Sequence, residues 1–137
     1  MQPTHRLRTI LRANAAISGA AALTCLLFAS PVGDLLGTDR TGIVRLVGAG
    51  LALFALDVAL LSRARDHRLA VGTRAVAVVD AAWTVAMAGL ALSGALAVTG
   101  VVLVLATAFA AAAFAWFEWT GASRLSAKPS ALGEVYA

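Results

Sequence analysis

The sequence predicts an all-α integral membrane protein, a four-helix bundle with both termini on the cytoplasmic side. Three observations carry that prediction. Of 137 residues, 61% are hydrophobic and only 13% charged, with a mean hydropathy of +0.87, whereas soluble domains carry roughly a quarter charged residues. The apolar residues gather into runs long enough to cross a ~30 Å hydrocarbon core, which takes about 20 helical residues. Nine of the eleven Lys and Arg fall in three clusters that each abut an apolar run: Arg6, Arg8 and Arg12; Arg63, Arg65, Arg68 and Arg74; Arg124 and Lys128.

Residues 1–12 read as a short, polar, basic cytoplasmic segment. The first span is predicted over 13–30, retained and not cleaved as a signal peptide, because Phe28 suits a cleavage site badly. Pro31 is expected to end it, since proline lacks the N–H and clashes with the preceding turn. The connection 32–42 holds Asp34, Asp39 and Arg40, with Leu35 and Leu36 at the interface. A second span over 43–61 contains eleven Val, Ile, Leu or Phe. These favour insertion by about 3–7 kcal/mol, against about 3 kcal/mol lost to Asp57. Between Ala75 and Phe117 the single charge is Asp80. That run is too long for one crossing, so it divides into spans at 75–92 and 96–119, with Ser93-Gly94 as the best turn signal and Thr99-Gly100 as the second choice. The tail 120–137, with Gly, Ser, Pro and Lys and no apolar periodicity, reads as disordered.

Positive charge sets the orientation. Three basic segments must share one side, four spans allow it, and only Arg40 and Arg45 are left outside. Trp116, Phe117 and Trp119 mark the inner interface of the last helix. The same distribution argues against a nucleic-acid partner, which asks for basic residues on one folded face with aromatic platforms. The lone Cys25 excludes an intramolecular disulfide and a cysteine-only metal cage. His5 and His67 both lie in basic segments, so no histidine pair is placed to ligate haem. No His, Cys and carboxylate set has metal spacing. No histidine base stands in reach of Ser18, Thr84, Ser93 or Thr107, so nucleophilic catalysis is unsupported; a lipid-modifying enzyme using only carboxylates stays open, but nothing asks for it or for a cofactor.

The polar residues inside the spans are the candidates for function. Asp57 and Asp80 sit on successive helices at matching depth, about 7–9 Å from the basic turn by helical rise. Each carboxylate costs about 2.5–3.5 kcal/mol at mid-helix. Asn14, Asp57, Asp80 and Glu118 belong to the cytoplasmic half, with Arg12 and Arg74 as nearest cations and Trp83 beside Asp80. One reading has Asp57 and Asp80 bonded to these groups to fix helix register; the other makes them a proton- or cation-handling site. Glu118 is expected at the interface. On the second helix Gly48, Ala52, Ala55 and Ala59 form a small-residue stripe for close helix packing, with Asp57 opposite.

The run of Pro31 before Leu35-Leu36-Gly37, Arg45-Leu46 and Gly48 before Leu53-Phe54-Ala55-Leu56-Asp57, then Asp80 and Trp83, resembles a group of small bacterial four-span membrane proteins with a loosely DoxX-like layout. The resemblance spans roughly residues 6–119 and implies a multi-pass bundle in a bacterial cytoplasmic membrane, without a reaction. In size the chain is also similar to the small multidrug transporters. Those place an essential acid in the first span, where this chain has Asn14. Two functions follow as expectations. One is an accessory or structural subunit that packs on itself or on a larger membrane partner within the lipid. The other is a small, oligomeric, proton-coupled transporter using Asp57 and Asp80.

Overall fold

The computed structural model describes residues 3–126. They form five helices: α1 (Pro3–Leu27), α2 (Ala29–Leu36), α3 (Thr41–Leu61), α4 (Asp66–Leu92) and α5 (Val98–Ser126). Four of them, all but α2, are long and apolar enough to cross a membrane. Their outward faces carry Leu23, Leu46, Leu53, Val85 and Phe109, all exposed, as expected where lipid and not water is the solvent.

The first helix starts well before the expected span. Leu7, Leu11 and Ala15 recur every four residues and are buried with Val58, Leu69 and Val76 in the main core, while Arg6 and Arg12 stay exposed. The basic segment is therefore the first turns of α1, with an apolar stripe that its arginines mask in the sequence. Proline at the very start is tolerated, because the first N–H groups of a helix have no partner to lose.

Pro31 breaks the helix upstream of where it was expected to. Its ring crowds the carbonyl four residues earlier, at Leu27, where α1 stops. Phe28 then leaves helical geometry, at φ −119° and ψ 38°. Pro31 itself lies in the first turn of α2, where its missing N–H is harmless. This short helix ends on Gly37 in the left-handed region, φ 77°. It docks on the start of α5: Ala97 N–H donates to Leu36 O at 3.0 Å, and Thr99 Oγ1 donates to Leu35 O at 2.7 Å. Leu35 and Leu36 thus cap the far end of the bundle through their carbonyls.

The helices pack as two pairs, α1 along α3 and α4 along α5, joined mainly where α1 meets α5; α3 and α4, though consecutive, touch little. The small-residue stripe of α3 faces α1. A Cβ on Gly48 would stand 2.8 Å from Cys25 Cβ and 3.1 Å from Ala22 O, and Ala55 is buried opposite Gly19. Ala52 and Ala59 on the same stripe are half-buried. At the other end of α3, Arg8 Nη2 donates to Ala64 O at 3.0 Å, tying the start of α1 to the basic turn. The α4–α5 turn falls at Ser93-Gly94, with Gly94 at φ 72° and Ser93 Oγ accepting from Ala95 N–H at 3.2 Å. The last helix continues through 120–126, where disorder was expected; Lys128 and the rest of that tail lie outside the described residues.

Candidate functional site

The polar centre of the bundle is assembled from α1, α4 and α5. Asn14 lies on the inward face of α1, one residue before buried Ala15 and three after Leu11. Asp80 follows Val76 and Ala77 on the buried face of α4, and Glu118 follows Val104, Ala108 and Ala111 on that of α5. Small residues along α5 let the three helices approach closely enough for short side chains to meet. All three polar residues are buried, at 2%, 5% and 0% exposure respectively.

Asn14 Nδ2 donates both of its protons: to Asp80 Oδ2 at 2.6 Å and to Glu118 Oε1 at 2.8 Å. Its oxygen accepts from Ser18 Oγ at 3.2 Å. The amide orientation follows from chemistry, because a carboxylate accepts and only the NH₂ group can serve two of them. Asp80 and Glu118 thus meet on the one Asn14 amide. Glu118 Oε2 is buried without a partner of its own. One turn further along α4, Thr84 Oγ1 reaches Asp80 O at 2.9 Å and Ala108 O on α5 at 3.3 Å, so the α4–α5 contact is hydrogen-bonded beside the cluster.

A cavity of about 100 Å³ opens against Asn14 and Ser18, walled by Ile17, Leu51, Trp83 and Phe114. At about 30 Å³ per molecule it has room for a few waters, but most of its wall is apolar.

Of the residues singled out from the sequence, the fold brings together Asn14, Asp80 and Glu118 and places Trp83 on the adjoining cavity wall. It keeps Asp57 away. That carboxylate is exposed on the outer face of α3, near exposed Leu53, Leu56 and Leu60. Asp57 and Asp80, though on successive helices, are held apart because α3 pairs with α1 and α4 with α5. Five residues from the turn, Asp57 is close enough to the helix end to snorkel. Glu118, expected at the membrane interface, is fully buried among the helices as a member of the cluster. The signal for it was in the sequence: it falls on one stripe with Ala111 and Phe114, and α5 continues beyond it to Ser126. Arg12 and Arg74 are exposed; Arg12 lines a groove between α1 and α3 with Ser62 and Arg63.

Fold and site define a helical bundle with four candidate spans and a buried polar cluster tying three of them together. No protein-family model matches the sequence, and no curated protein and no solved structure matches it.

Proposed function

We propose that the chain is an accessory or structural subunit of a bacterial cytoplasmic membrane. It holds its own shape in lipid and offers its apolar outer faces to a second copy or a larger partner. The observation that carries this reading is the single Asn14 amide bonded to both Asp80 and Glu118. One amide on α1 bridges acids on α4 and α5, which is what a lock on helix register needs. The charge distribution supports cytoplasmic termini, and the DoxX-like layout agrees with a multi-pass bundle.

The second reading, a proton-coupled transporter, is favoured by the cavity of about 100 Å³ that touches Asn14 and Ser18. Its acids are Asp80 and Glu118, with Asp57 left out. Purified protein reconstituted into vesicles with a trapped pH-sensitive dye separates the two. The accessory reading expects proton leak no faster than in protein-free vesicles, together with reduced folding stability in Asn14→Leu. Proton flux in the wild type that Asp80→Asn abolishes, in a protein that still folds, would overturn it.

A further inference from the structure

Two grooves at the basic end of the molecule meet at one tryptophan. The first, of about 340 Å³, lies between α1 and α5 and is lined by Arg6, Ile10, Trp116, Thr120, Gly121 and Arg124. Gly121 allows this approach: a Cβ there would stand 2.8 Å from Leu7 Cδ1. With α1 seated against it, Arg6 and Arg124 border the same groove from different helices, and both are exposed. The second groove, of about 480 Å³, lies between α4 and α5 over Ala77, Ala81, Ala112 and Ala115, beside Trp116 and Trp119. Trp116 borders both.

The depths follow from helical rise. Trp116 lies eight residues inward of Arg124, about 12 Å, and Ala112 about 18 Å inward. Positive charge therefore sits at headgroup depth, aromatic rings come next, and an alanine-floored channel continues into the hydrocarbon. A phospholipid has the complementary order. Guanidinium groups take phosphate oxygens through paired N–H bonds, and basic pockets between spans on the cytoplasmic side suit anionic headgroups. We propose that the two grooves together bind one anionic phospholipid, its phosphate between Arg6 and Arg124 and one acyl chain passing Trp116 into the alanine channel. The site is separate from the Asn14–Asp80–Glu118 cluster, and it stands whichever reading of that cluster holds.

Native mass spectrometry of the full-length protein in detergent, with phosphatidylglycerol or phosphatidylcholine added, tests the site. Phosphatidylglycerol should be retained preferentially, and Arg6→Gln/Arg124→Gln should weaken its retention by roughly tenfold or more. Arg40→Gln/Arg45→Gln, at the opposite end, should leave it unchanged. Both target arginines are exposed, so the double variant should unfold like the wild type in lipid-free detergent. Equal retention of the two lipids, or full retention by Arg6→Gln/Arg124→Gln, overturns the proposal. So does displacement of the lipid by inorganic phosphate at millimolar concentration, which would make this a free-anion site. In a Cys25→Ser background, an Ala112→Cys dimer that forms equally with and without phosphatidylglycerol would give the channel to a second copy and overturn it as well.

Discussion

Asn14 gives both amide protons to acids on two other helices, and little else in the bundle could take its place. Leucine fills a similar volume but leaves two buried acids short of a donor, an outcome that costs about 1–3 kcal/mol per orphaned group. Glu118 allows a finer test. Glutamine keeps a carbonyl oxygen for Asn14 and so mimics a protonated carboxyl. Glu118→Gln should therefore stay within about 1 kcal/mol of wild type in unfolding free energy, while Glu118→Leu should lose about 1–3 kcal/mol. A Gln variant as unstable as the Leu variant would mean that Glu118 works as a charged acceptor. Asp57→Asn, on an exposed face, should change stability by less than about 0.5 kcal/mol. At this scale the sequence showed that Asn14 and Asp80 were inward and polar, because helical periodicity is local information. It did not show which acid Asp80 would meet. Pairing of α4 with α5 in place of α3 decides that, and the choice depends on packing along whole helices.

At the scale of the element, glycines and prolines set the contacts. Gly100 lies under α2: a Cβ there would stand 2.8 Å from Leu36 Cα and 2.9 Å from Leu36 O. Those are backbone atoms that cannot step aside, so Gly100→Val should cost about 1–3 kcal/mol as overpacking does and loosen α2 from α5. Gly89 has open space around its missing side chain. Gly89→Ala should be neutral or stabilising by up to about 1 kcal/mol, through helix propensity alone. Denaturation in mixed micelles measures both, and a destabilised Gly89→Ala beside an unaffected Gly100→Val would contradict the packing described. The α3 stripe makes a similar demand. Leu at Ala52 or Ala55 should destabilise the bundle because α1 lies against that face; unchanged thermal stability in both would mean the stripe is free. The stripe and the Ser93-Gly94 turn were legible because small residues and glycine act where they stand. The break at Phe28 was not, because Pro31 acts one turn upstream of itself. The true start of α1 was hidden too, its Leu7–Leu11–Ala15 stripe lying among three arginines.

Across the whole molecule, the contacts Arg8–Ala64 and Leu7–Gly121 gather the start of α1, the basic turn and the end of α5 at one pole. Leu36–Ala97 closes the opposite pole. Reporter fusions after Arg68 and after the tail should therefore read on the same side, cytoplasmic by the charge distribution. A fusion after Asp39 should read on the other side. A tail fusion on the side of Asp39 would require an odd number of crossings and refute the four-span arrangement. The bundle is held by two dense helix pairs, and the central claim is that the Asn14–Asp80–Glu118 cluster couples them. A double-mutant cycle on unfolding free energy in mixed micelles, using Asn14→Leu, Glu118→Leu and the combined variant, measures that coupling directly. Interhelical side-chain bonds in membranes contribute about 0.6 kcal/mol on average and up to about 1.7 kcal/mol, and a coupling in that range is expected here. Strict additivity, within about 0.3 kcal/mol, would contradict the claim that these residues join α1 to α5.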